Sequence, residues 1–247
     1  MDSNAYTCWK QWHVEQFATV TPGRRFYFDQ IFSRWPDKQG KVLEIGYGNG
    51  ALLGYFRARG HEVVGVEINE HLVTRANKCG YPAYLGEVWA IAELQPERFD
   101  LVVAFDVAEH MRNEELRTFF SWVRAHLSEG GRMYLRFPEG ASPFGLANQN
   151  GDLMHVTSLT LPKIEALCVE SYMKLVSYSD DLLSSNKLCS LGLIGRVVLI
   201  LLQGYAYVLK CILKIILYPL APSLRLGTNS IAVIAVPKVI TGNILNS

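Results

Sequence analysis

The rhythm of apolar and polar positions changes at Lys41. Before it, residues 1–35 carry Trp9, Trp12, Phe17, Phe26, Phe28, Phe32 and Trp35 at loose helical spacing, interrupted at Thr21-Pro22-Gly23. That pattern predicts short capping helices. After it, short apolar runs alternate with amphipathic stretches: KVLEIG and then 51–59, HEVVGVEI and then 70–79, AYLG, FDLVVAF and then 113–127, and GRMYLRF. Strand followed by helix, repeated, predicts a parallel sheet built from βα units. Two further runs, YMKLVSYS at 172–179 and SIAVIAVP at 230–237, read as the last strands, with no requirement that they run parallel to the rest.

Between those two runs lies LGLIGRVVLILLQGYAYVLKCILKIILYPLAP, part of an insertion longer than a compact domain usually places between paired strands. Its longest uncharged run, Val197 to Leu209, is 13 residues, short of the about 20 that a membrane span needs. Arg196, Gln203, Lys210 and Lys214 are separated by seven, seven and four positions, which sets them almost on one line of a helix. The expected element is therefore a helix with a narrow basic stripe on a broad apolar surface. It lies in a membrane interface with the stripe toward the headgroups, or packs on the core or a partner with the stripe toward water. The expected organisation is capping helices over 1–40, a central βα core over 41–179, an apolar basic insertion over 180–229, and a last strand with its tail over 230–247.

Composition refines this reading. A chain of 247 residues suits one generous α/β domain with an extra element. With 49% apolar and 19% charged residues it is no disordered polymer. The net charge of +1 hides an asymmetry: from residue 182 onward there is no Asp or Glu, but there are Lys187, Arg196, Lys210, Lys214, Arg225 and Lys238. A basic, apolar tail suits an anionic membrane surface, and the basic residues are too few for a nucleic-acid partner. The five cysteines show no CxxC or His-paired spacing, so neither a metal site nor a disulfide framework is expected. MDSNAYTCWKQWHVEQF has no apolar secretory core, which makes a cytoplasmic location the expectation, peripheral on the inner face of the membrane.

The candidate chemistry starts at VLEIGYGNG, Val42 to Gly50. A strand running into Gly46-Tyr47-Gly48-Asn49-Gly50 and then a helix lets backbone approach a ligand, because glycine tolerates positive φ and has no Cβ. Glu44 lies within that strand. Glu67 ends the next one, where an acid can accept hydrogen bonds from both hydroxyls of a ribose. The loop reads GxGxG rather than the GxGxxG of pyrophosphate sites, and carboxylates around it favour a ligand bearing positive charge.

On these residues the chain resembles the class I S-adenosylmethionine-dependent methyltransferases, from about Lys41 to Phe137. VLEIGYGNG is similar to the family's first motif, Glu67 to its ribose-binding acid, and LGEV with Glu87 to its third motif, where an acid meets the adenine amino group. FDLVVAFDVAEHM resembles the fourth motif and LSEGGRMYLRFPE the turn and strand written LKPGG. Tyr47, Glu87 and Glu129 depart from the usual small residue, Asp and Pro. The resemblance implies a Rossmann-like, mostly parallel seven-stranded sheet with helices on both faces. It also implies S-adenosyl-L-methionine as cofactor, bound by Glu44, Gly46, Tyr47, Gly48, Asn49, Gly50, Glu67, Ile68, Glu87, Val88 and Phe105.

Methyl transfer to a hydroxyl also needs a base. His110 in AFDVAEHM, beyond the fourth strand, and His155 in GDLMHVTSLT, after the fifth, compete for that role, with Asp106 at the strand end as the third candidate. Each has a plain alternative: the EH pair as a structural or cofactor-side element, His155 as a ligand of a loop carbonyl. Asn148, Gln149, Asn150 and Asp152 either hydrogen-bond a polyhydroxy group or only solvate their loop, and the N-terminal aromatics form a lid or simple core. The EHM motif, the HVTSLT segment and the insertion resemble bacterial methyltransferases of quinone precursors and of polysaccharide or glycolipid intermediates. The expected function is O-methylation of a small-molecule or lipid-linked acceptor at a membrane surface reached through residues 191–220. N- or C-methylation of a soluble metabolite, and a non-catalytic adaptor, stand as alternatives, and the oligomeric state is open.

Overall fold

The computed structural model describes residues 17–33, 35, 39–181, 192–217 and 225–237. Helix α1 spans Pro22–Ile31. Thr21 caps it by accepting from the Arg24 amide at 3.3 Å, and Pro22 occupies the first turn, where its missing N–H costs nothing. Trp9 and Trp12 lie outside the described residues. Then β1 (Lys41–Ile45), α2 (Ala51–Arg57), β2 (Glu62–Glu67), α3 (Glu70–Lys78), β3 (Ala83–Leu85) and β4 (Phe99–Phe105) follow in strict alternation up to two short 3-10 turns before β4. Helix α4 (Asn113–His126) leads into β5 (Leu127–Pro138), and α5 (Leu146–Asn150), α6 (Leu161–Glu170), β6 (Lys174–Asp180), α7 (Gly192–Leu217) and β7 (Asn229–Ala235) complete the order.

The seven strands form one sheet in the order β3-β2-β1-β4-β5-β7-β6. The first five are mutually parallel, while β7 is antiparallel to both β5 and β6, so the two last strands close the sheet with reversed pairing. The LSEGG stretch is an irregularity within β5 rather than a turn before it: pairing with β4 shifts between Phe99 and Leu101, and Gly130 takes φ +76°.

Side chains alternate between the two faces, as the period of a strand demands. Val42, Val63, Leu101, Val103 and Tyr134 pack against Tyr27 and Phe28 of α1, Phe32 at its C-cap, Leu52 and Phe56 of α2 and Leu72 of α3. Leu43, Val64, Val102, Met133 and Leu135 pack against Leu116, Phe119 and Val123 of α4 and Ile164 of α6. Of the described N-terminal aromatics, Phe28 and Phe32 are core, Phe17 and Trp35 pack against it half-buried, and Phe26 is half-buried outside it.

Helix α7 is the apolar insertion, placed between β6 and β7 as its sequence position requires. Most of its residues whose burial is described are exposed, and Gly195 is the buried one among these. Among the described residues, no helix is long and apolar enough to cross a membrane.

Candidate functional site

The glycine loop joins β1 to α2 at the carboxyl edge of the sheet. Gly46, Gly48 and Gly50 have φ of +69°, +53° and +72°, a region in which a Cβ is strained. A Cβ on Gly46 would also run into the Val107 side chain, and one on Gly50 into the Phe17 ring. The Glu67 carboxylate, 8% exposed, braces the loop: it accepts from the Gly48 amide at 3.2 Å, from Ile68 at 2.9 Å and from Asn69 at 3.3 Å. Burial lifts its pKa above the usual carboxylate range against the opposing pull of these three amides. A carboxylate offers about four acceptor directions, so room remains for a ligand hydroxyl. Glu44 is 6% exposed, and burial raises its pKa well above normal; the Leu53 amide opposes the shift and the Glu67 charge adds to it. Its Oε2 has no hydrogen-bond partner among the described residues.

Two cavities meet at Gly46. The first, about 320 Å3, lies over the ends of β1, β2 and β4, and is lined by Glu67, Ile68, Glu87, Val88, Trp89, Asp106, His110 and Met154 among others. Burial raises the Glu87 carboxyl, with the Glu115 charge adding to it. The second, about 340 Å3, is more polar in its walls and holds Arg24, Tyr27, Glu44, Tyr47, Gly48, Asn49, Phe105 and Arg136. Phe105 therefore faces the second cavity, under the Arg136 guanidinium at 5.1 Å, and Gly50 lines neither.

Tyr47 points down rather than across the loop. It is 3% exposed, meets Phe17 edge-on, and occupies the space that a Cβ at Gly65 would need, so the large residue in the loop is matched by an absent side chain in β2.

Asp106 lines the first cavity with φ +57°, a conformation Asp tolerates better than most residues. Both of its carboxylate oxygens pair with Arg136 of β5. Arg136 also donates to the Tyr27 hydroxyl at 2.9 Å, and Tyr27 donates to Asp181 at 2.8 Å. Burial opposes the guanidinium charge, but Asp106, Tyr27 and Asp181 outweigh it, so Arg136 stays firmly protonated. Asp106 is accordingly an ion-pair partner in this geometry rather than an isolated base.

His110 and His155 form one unit. Their rings meet edge to face at 4.6 Å. His110 Nδ1 lies 3.0 Å from the Met154 carbonyl and His155 Nδ1 3.0 Å from the Gln149 carbonyl. A carbonyl only accepts, so in both rings Nδ1 carries a proton and Nε2 is the basic nitrogen of the neutral form. His110 lines the first cavity; His155 lies behind it, its side chain 7% exposed, with Nε2 3.8 Å from Glu109 and 3.9 Å from Asp152. Glu109, His110 and His155 each offer a donor atom within 4.8 Å of the others, a set able to receive a cation.

The polar cluster after β5 folds its own loop. Asn148 donates to Asn229 at 2.8 Å, Gln149 is buried near the Thr157 carbonyl, and Asp152 accepts from the Met154 amide at 2.9 Å.

Arg24, Arg136, Glu109 and Met154 join the site without having been singled out in the sequence. For Arg136 a signal existed, a charge inside the apolar strand GRMYLRF, and Glu109 is the partner of His110 in EHM. Arg24 and Met154 carried none.

A family model described as a methyltransferase domain matches residues 23–172, which include the glycine loop, Glu67, Asp106 and both histidines. A SAM-dependent methyltransferase from Archaeoglobus fulgidus superposes with a TM-score of 0.57 at 18% identity, over 85% of this chain and 93% of that one. The glycopeptide N-methyltransferase MtfA complexed with (S)-adenosyl-L-homocysteine gives 0.54 at 15% identity, over 87% and 90%. These likenesses establish the fold. The ubiquinone biosynthesis O-methyltransferase of Nitrosomonas europaea is 28% identical over 100 residues, 37% of this chain, and the match spans only 41% of that relative's length. With the family match running across more than half of its length and through its ligand edge, the chain belongs to the class I S-adenosylmethionine-dependent methyltransferases.

Proposed function

We propose that the chain methylates an oxygen of a lipid-linked or amphipathic acceptor, with His110 as the base that takes the hydroxyl proton. The observation that carries this reading is the hydrogen bond from His110 Nδ1 to the Met154 carbonyl at 3.0 Å, in the wall of the first cavity. It holds the neutral ring in the tautomer whose Nε2 accepts a proton.

S-adenosylmethionine, held by residues of the two cavities, would supply a methyl carbon already activated by its sulfonium. The chain's residues then have three tasks. Glu67 receives the ribose hydroxyls beside the amides it already holds, and Glu87 with Val88 borders the adenine end. Glu44, with its spare oxygen, offers a carboxylate to the ammonium of the methionine end, and Arg24 in the second cavity suits its carboxylate. His110 would take the proton of the acceptor hydroxyl through Nε2. Alignment supplies much of the rate in such an in-line displacement. The oxygen acceptor named for the Nitrosomonas relative lends this reading support.

The test is an assay with methyl-labelled donor and a membrane-lipid extract. Label in the lipid fraction, lost in His110→Ala, is expected. Label appearing only in a water-soluble product would turn the reading to a soluble metabolite. No transfer despite measurable cofactor binding would leave a non-catalytic adaptor.

A further inference from the structure

The insertion leaves β6 at Asp180 and returns at Asn229 of β7. Because β7 is antiparallel to β5 and β6, both of those points lie at the carboxyl edge of the parallel strands, the edge that carries the glycine loop and His110. The connection between β5 and α6 emerges at the same edge. It exposes Phe144, Leu146, Leu153 and Val156, Leu153 to 98%, while Met154 between them reaches the first cavity. Lys210 of α7 lies 5.6 Å over the Phe144 ring, so helix and loop are neighbours.

At about 100° per residue, Ile194, Leu201, Tyr205, Val208 and Ile212 fall on one side of α7, and all five are exposed. Gly195, Ala206, Lys210, Cys211 and Leu213, which are buried or half-buried, lie a quarter- to a half-turn away, so the protected side of the helix includes Lys210 of the basic line. The apolar side thus faces away from the body. Contiguous exposed apolar surface of this kind marks an interaction site. The charge pattern selects the partner: no acid follows Asp181, and six basic residues do.

We propose that the carboxyl edge is a membrane-docking face, with the apolar side of α7 and the exposed Leu153 and Val156 seated in the interfacial layer of a bilayer containing anionic phospholipid. A helix lying in that plane buries its apolar side and is held by headgroup charge. Docked so, the mouth of the first cavity at Met154 opens beside the lipid, and an acceptor reaches His110 without crossing water. That route rests on the methyl-transfer reading above; the docking does not.

The test is flotation of the full chain with phosphatidylcholine vesicles and with vesicles that also contain phosphatidylglycerol. Binding to the anionic vesicles that weakens with added salt is expected. The double variant Leu201→Asp, Ile212→Asp is expected to lower the bound-to-free ratio by about tenfold or more, and Leu153→Asp severalfold. All three positions are exposed, so melting temperature and cofactor binding stay as in the parent. Absent binding, equal binding by the variants, or equal binding to both kinds of vesicle overturns the proposal. So does a solution dimer that the double variant splits, which assigns the face to a second copy. Transfer to a short water-soluble acceptor without vesicles separates the two readings. Transfer without docking sinks only the membrane face, and docking without cofactor binding sinks only methyl transfer.

Discussion

The His155 ring stands edge-on against the His110 ring, 4.6 Å between centroids, and each ring donates from Nδ1 to a carbonyl of the loop after β5. Two positions that compete in the sequence are therefore two parts of one arrangement, with His110 at the cavity and His155 behind it.

Unequal roles follow. His110→Ala is expected to lower kcat by about 10²–10⁴-fold with cofactor affinity unchanged, the usual contribution of a positioned base. His155→Ala acts through the placement of His110 and lowers kcat by about 10²-fold or less. His155→Asn keeps a donor toward the Gln149 carbonyl and recovers much of that loss. Steady-state kinetics beside calorimetric cofactor titration checks all three; an unaffected kcat in His110→Ala removes it as the base.

Glu67→Gln puts an amide where the Gly48, Ile68 and Asn69 amides need an acceptor and, on the proposed reading, the ribose hydroxyls do too. Weakening a charged hydrogen-bond set by about 1.5–3 kcal/mol corresponds to roughly ten- to hundredfold lower cofactor affinity. Calorimetry measures it directly. Parent-like affinity in a folded variant would show that the acid only braces the loop.

Burial holds Glu44 and Glu67 above the usual carboxylate range, so the folded protein binds protons that the unfolded chain releases. Stability from this source is present below the ordinary carboxylate pKa and is lost as pH rises through the raised values. Cofactor binding has the opposite slope, since positive groups on the ligand favour the ionised acids. Affinity is expected to rise with pH across that window while the melting temperature of the unliganded protein falls. Titrations and melts at matched pH values test both signs, and a pH-independent affinity contradicts the assignment of these two acids to the ligand.

Arg136→Met withdraws the guanidinium from Asp106, from the Tyr27 hydroxyl and from the Asp181 carboxylate, whose side chain is 1% exposed and lies 3.9 Å away. Breaking a buried pair from one side costs about 3–5 kcal/mol. The loss is expected near the lower bound, because Asp106 is half-exposed and partly hydrated. Denaturant unfolding monitored by tryptophan fluorescence reads it, and a change below about 1 kcal/mol would make the network incidental.

The glycine loop and the acid that braces it were legible because their signals are local. Three glycines in five positions, an acid at the end of the next strand and FDLVVAFDVAEHM are requirements on neighbouring residues, and the strand–helix alternation that frames them is a local pattern too. The departure at Tyr47 was visible, but not its resolution, since Gly65 makes room for the ring from an adjacent strand.

What the sequence determined by itself was the alternation of strand and helix that builds a parallel sheet, the place of the glycine loop, and the apolar, acid-free character of the insertion, all set by side-chain periodicity and backbone chemistry over a few residues; that helices cover both faces came from the family resemblance. What the tertiary structure decided was which distant groups share a space. Pairing in the sheet put Arg136 beside Asp106, and folding of the loop after β5 carried His155 and Met154 to His110. The reversal of β7 returned the insertion to the ligand edge. Those relationships depend on contacts between segments far apart in the chain, which no local pattern encodes.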